Sequence, residues 1–129
     1  MQLQEESGRD TSEELTAILE PVFYHERLEV YQVGLSFMGW FASLGPAQNL
    51  APAFRPVDKA ATSVILNVAE GNGRYAELDH QRFLEMAQSS AVKAAAHLDL
   101  CVVKKLLTQA DMTSGKELLR RIGAMLARM

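Results

Sequence analysis

Residues 30–54 carry no charged side chain, and the first half of that stretch would make a helix that is apolar on two sides. Leu28, Tyr31, Leu35, Met38 and Ala42 follow the 3-4-3-4 spacing of one stripe, and Val30, Val33, Phe37, Trp40 and Leu44 repeat it two residues later. With each residue advancing about 100°, the two stripes stand about 200° apart, on nearly opposite sides. A helix at the edge of a small bundle has one face to bury against its own chain, so a second apolar face needs another cover. Each large apolar side chain left in water forgoes roughly 1.5–3 kcal/mol. The expectation is an obligate oligomer with Val30, Val33, Phe37, Trp40 and Leu44 at the subunit interface. A membrane is not the expected cover. Only Val33 to Ala47 is mostly apolar, glycines interrupt it and Pro46 closes it, whereas a span needs ~20 such residues.

The remaining punctuation is also helical. Thr11 and Glu14 form a possible capping box for a short helix from Ser12 to Leu19, stopped by Pro21. The doubly apolar helix is expected from about His25 to Leu44, ended by Gly45-Pro46, with a Pro-rich loop to Pro56. A second helix starts near Val57 and runs to Gly71-Asn72-Gly73, and a third spans about Glu77 to Leu107. The fourth covers about Gly115 to Met129, with Thr113-Ser114-Gly115 at or before its start and Leu118, Ile122, Met125 and Met129 inward. In the third, Ala87, Ala91, Ala94, Ala95 and Ala96 favour close helix packing, and Leu98, Val102, Val103, Leu106 and Leu107 extend the apolar surface. No segment alternates with the period of a half-buried strand. The fold class predicted is all-α, an antiparallel up-down four-helix bundle (residues 23–129) behind a short N-terminal helical extension (residues 1–22).

Charge separates those two parts. Residues 1–22 hold six acidic residues against Arg9 alone, a balance of −5, leaving the body at +2 within a total of −3. That body is only mildly basic, so no global positive field points to nucleic acid. The alternative reading, an RNA- or DNA-binding accessory protein of a ribonucleoprotein system, draws on Arg74, Arg82, Lys104, Lys105, Lys116, Arg120, Arg121 and Arg128. One cysteine, Cys101, cannot close an intramolecular disulfide, and the N-terminus lacks the basic and apolar regions of a signal peptide. Both suit a cytoplasmic protein.

Familiar catalytic and metal constellations are incomplete. Glu77 and His80 form one Glu-x-x-His pair, but a di-iron bundle needs a second pair and two more glutamates. His97 and Cys101 lie one turn apart, yet a structural zinc site takes four ligands. The serines lack a Gly-x-Ser-x-Gly setting, and Gly71-Asn72-Gly73-Arg74 lacks the Lys-Ser/Thr of a phosphate-binding loop. A non-enzymatic protein without cofactor or metal is expected.

One polar cluster remains. Ser63, Asn67, Glu70, Gly71 and Arg74 recur at intervals of one to four residues on one helix face, with Asn67 set among Ile65, Leu66, Val68 and Ala69. Two readings stand: a small pocket for a ligand, phosphate or partner, or a hydrogen-bond network closing the bundle end. An enzymatic role for Asn67, Glu70 and Arg74 would require a concave pocket around Glu70.

These residues also carry a resemblance. The segment from Ala61 to Arg74, with Ser63-Val-Ile-Leu-Asn67-Val-Ala-Glu70-Gly71, resembles the Ser-[Ile/Val]-x-x-Asn-[Ile/Val]-x-Glu-Gly signature of proteins encoded by 23S rRNA intervening sequences, the S23-type family. Phe83-Leu-Glu-Met-Ala-Gln-Ser-Ser90 is similar to a second family segment, with Ser89 in place of the usual glycine and Lys93 where a glutamate commonly follows. Leu28-Glu-Val-Tyr-Gln32 fits the family's first helix. The resemblance spans about residues 25–129. It implies an up-down four-helix bundle, a ring-shaped homopentamer as partner to itself, and a scaffold or binding role of undefined biochemistry. A related branch serves retroelement reverse transcriptases as a basic, nucleic-acid-binding accessory subunit. The matching positions are Asn67, Glu70, Gly71, Arg74 and Ser90.

Overall fold

In a computed structural model the described residues are 23–45 and 51–129. The expected Ser12–Leu19 helix, and the N-terminal extension that contains it, lie outside them. Four helices make the fold: α1 (Glu29–Ser43), α2 (Arg55–Asn72), α3 (Glu77–Val103) and α4 (Gln109–Ala127). One 3-10 turn at Tyr24–Arg27 leads into α1 and another at Pro52–Phe54 leads into α2. Among the described residues there is no strand. The helices pack around a square, α1 on α2, α2 on α3, α3 on α4 and α4 back on α1. Short connections make each neighbour antiparallel to the last, the up-down four-helix bundle expected from the sequence.

The local chemistry explains each boundary. Gly45 takes φ 98°, the left-handed turn that stops α1. Pro56 enters α2 in its first turn, where its missing N–H would have no helical acceptor. The Thr108 side chain accepts the Asp111 N–H at 3.0 Å and opens α4. α4 therefore begins at Gln109, six residues before the predicted Gly115. The α3 end differs too, at Val103 instead of Leu107. Lys105 there adopts φ 62°, and the Leu106 N–H reaches back to the Cys101 carbonyl at 2.9 Å. A lysine holds the position glycine usually takes, so no glycine signalled the stop.

The core runs along the bundle axis from all four helices. Phe37 and Phe41 of α1 meet Phe54, Val57, Val64 and Val68 from the second quarter, then Leu84, Ala87, Ala94 and Leu98, and Met112, Leu119, Ile122 and Leu126. The predicted Pro-rich loop thus supplies a core side chain, Phe54, which is 1% exposed. In α4 the inward row is Met112, Gly115, Leu119, Ile122 and Leu126; Leu118 and Met125 are half-buried, and Met129 is exposed. Ala87, Ala91 and Ala94 are buried as expected, while Ala96 and Val103 face solvent. No helix among the described residues is long and apolar enough to cross a membrane.

The predicted interface row is corrected by this packing. Val30, Val33 and Phe37 are buried by their own chain, Trp40 packs on Gly115 of α4, and Leu44 is half-buried. The physical reason is rotational. Spacing gives the angle between two apolar stripes, but nothing in it says which stripe points at the bundle axis. The stripe left outside is the other one. Leu35 is 47% exposed and Ala42 is exposed, with Tyr31 and Met38 half-covered beside α2.

Candidate functional site

Helices α2 and α3 share the most extensive contact in the bundle, and the polar cluster lies along their seam. A glycine permits the approach: a Cβ on Gly71 would stand 2.8 Å from the Phe83 Cβ. Its carbonyl accepts a hydrogen bond from His80 Nδ1 at 2.8 Å, so that nitrogen carries the proton. His80 is thereby a clasp between the end of α2 and the first turn of α3, where Glu77 and Asp79 complement the helix dipole.

The cluster divides into two groups. Midway along the seam, the Ser90 hydroxyl donates to Ser63 Oγ at 2.8 Å. Asn67 Nδ2 donates to the same oxygen at 3.0 Å and to the Ser63 carbonyl at 2.8 Å. This explains a half-buried asparagine in an apolar run: its amide bridges one helix turn while the serine pair bridges two helices. Nearer the end, Arg74 pairs with Glu70, one turn away, and both are exposed. The Arg74 guanidinium lies 5.0 Å from the Phe83 ring centroid and that of Arg82 lies 4.7 Å from it. Phe83 therefore joins the two arginines through its π face. Sequence spacing gave no sign of the Arg74 contact, because it joins the turn after α2 to Phe83 on α3.

Beside the serine pair opens a cleft of about 350 Å³. Lys59 and Ser63 line it from α2, and Ser90, Lys93 and His97 from α3. Each set repeats at one helical turn, which places it on one face. Glu70 does not line this cleft.

The candidate nucleic-acid contacts are dispersed. Arg74 and Arg82 sit at the α2–α3 turn, and Arg82 also pairs with Asp79 at 3.4 Å. Lys104 and Lys105 lie at the other end of α3, a helix of 27 residues that is about 40 Å long at ~1.5 Å per residue. Lys116 is held by Asp99 at 2.6 Å, Arg120 by Glu117 at 2.7 Å, and Arg121 lies 3.9 Å from Glu29. The Arg120 hydrogen bond holds the Glu117 carboxyl below its ordinary range. Arg128 caps the C-terminus of α4. Cys101 is buried in the core with its thiol toward the Ala53 carbonyl at 3.7 Å, while His97 remains in the cleft.

The family described as 23S rRNA-intervening sequence protein matches residues 26–128. Among solved structures, the chain is similar to a crystal structure of a protein with unknown function from the S23 ribosomal protein family of Bacteroides thetaiotaomicron. The two share 18% identity at a TM-score of 0.67, over 75% of this chain and 94% of the other. That likeness is one of fold. No curated protein matches the sequence.

Proposed function

The chain belongs to the 23S rRNA-intervening sequence protein family, and from that membership we propose a non-enzymatic, cytoplasmic scaffold or binding protein that works as a homopentamer. One observation carries the assembly. The outward face of α1 presents Gln32, Leu35, Ser36, Gly39, Ala42 and Ser43, without a charge, over the whole length from Val30 to the helix end. A helix face meant for water ordinarily carries Lys, Glu, Arg or Asp. Across the seam α2 adds Leu66, which is 62% exposed, and the half-buried Ile65. Ile65 reaches α1 closely enough that a Cβ on Gly34 would lie 2.9 Å from its Cγ1, so the two helices form one continuous surface. A second copy of the chain is the occupant that this uncharged face suits.

Light scattering on the full chain is expected to give five times the 14.3 kDa chain mass. Leu35→Glu places a charge on the outward face and is expected to yield folded monomers with unchanged helical circular dichroism. A wild-type chain that stays monomeric at micromolar concentration overturns the proposal, as does a Leu35→Glu variant that assembles normally.

A further inference from the structure

We infer that the cleft between α2 and α3 binds the phosphate group of a small phosphorylated ligand, held by Lys59, Lys93, His97 and the Ser63–Ser90 hydroxyl pair. The inference goes beyond the scaffold reading and does not depend on subunit number.

The first support is the donor set. No carboxylate lines the cleft. Lys59 and Lys93 enter none of the ion pairs formed among the described residues, in contrast to Arg74, Arg82, Lys116, Arg120 and Arg121. Of the acidic residues on the two helices, Glu70, Asp79 and Asp99 are engaged with Arg74, Arg82 and Lys116, and Asp58, Glu77 and Glu85 lie outside the cleft lining. His97 adds at least one ring N–H in either tautomer.

The second support is a proton count. Ser63 Oγ receives the Asn67 amide and pairs with the Ser90 hydroxyl. Two hydroxyls share a single mutual hydrogen bond, so whichever of them donates, the other keeps a proton with no acceptor among the described residues. That proton belongs to a residue lining the cleft. Two ammonium groups, an imidazole N–H and one spare hydroxyl proton from the serine pair make a site rich in donors.

The third support is size and charge. A volume of about 350 Å³ falls at the small end of ligand sites, roughly 300–1,000 Å³. Two lysines match a phosphate monoester, which carries about −1.5 to −2 at neutral pH and three acceptor oxygens. A carboxylate would leave one ammonium unanswered. A nucleic-acid strand needs a continued track of cations along its backbone, whereas the remaining basic residues lie at the ends of the bundle or on α4 in ion pairs.

Calorimetric titration of the full chain with AMP and with inorganic phosphate, against chloride at matched ionic strength, tests the site. Saturable binding of both is expected, with AMP protecting Lys59 and Lys93, but not Lys104, from acetylation. Lys59→Glu and Lys93→Glu should each weaken AMP at least about tenfold, and Lys104→Glu should leave it unchanged. Both lysines of the site are exposed, so the charge reversals leave the core alone and circular dichroism verifies the fold. Absence of saturable binding overturns the inference, as does affinity indifferent to Lys59→Glu and Lys93→Glu. An oligonucleotide that binds far more tightly than AMP, through Lys104 and Arg128 equally, replaces the small ligand with a polymer and overturns it too.

Discussion

Gly115 of α4 is the seat for Trp40 of α1: a Cβ added there would stand 2.3 Å from the indole Cζ3. No side chain larger than hydrogen fits without moving the ring or separating the helices. That contact explains why a residue with poor helix propensity sits inside α4.

Gly115→Ala is accordingly expected to lower stability by about 1–3 kcal/mol through overpacking, read as a reduced urea midpoint and a shift in Trp40 fluorescence. Gly123 supplies the opposite case on the same helix, since its added Cβ meets nothing within 4 Å. Gly123→Ala should raise stability by roughly 0.5–1 kcal/mol.

Lys105 adopts a left-handed backbone without being glycine. Relieving that conformation while keeping the α3–α4 turn should stabilise the fold. Lys105→Gly is expected to gain about 0.5–1 kcal/mol, the left-handed penalty less the entropy glycine adds to the unfolded chain. A urea midpoint that falls would count against the turn.

Ser63 joins α2 to α3 by accepting from both Ser90 and Asn67. Ser63→Ala removes that acceptor and should cost about 1 kcal/mol. The exposed Thr62 is the control, and Thr62→Ala should show no loss in the same denaturation experiment.

Burial pushes the Cys101 thiol above its ordinary value, with Lys104 opposing in part. An unfolded thiol ionises near ~8.5. Between there and the raised native value, the unfolded chain releases a proton that the folded chain keeps. Stability from this group is therefore fully present below the unfolded pKa and falls as pH rises through the folded one. Urea midpoints measured from neutral to alkaline pH should decline, and Cys101→Ala should remove that part of the slope. Iodoacetamide should modify the folded thiol far more slowly than the unfolded one.

Much of this molecule was legible in the residues alone. Gly45 and the Gly71–Gly73 stretch marked real helix ends, and the Asn67 cluster pointed to the α2–α3 seam. The misplaced boundaries have local causes. Lys105 concealed the end of α3 because its backbone does what a glycine normally advertises, and Gly115 looked like a start signal because its partner, Trp40, lies on another helix. The cleft was hidden for a similar reason. Lys59 and Lys93 are thirty-four positions apart in sequence, and only the pairing of α2 with α3 brings them to one cleft.

The sequence by itself determined the four helices, their antiparallel order and the presence of two apolar faces on α1, because periodicity and chain punctuation act within a few residues. Only the tertiary structure decided that Phe37 faces the axis and Leu35 faces out. Turning a helix about its own axis leaves every spacing within it unchanged, so the choice belongs to the neighbours it packs against.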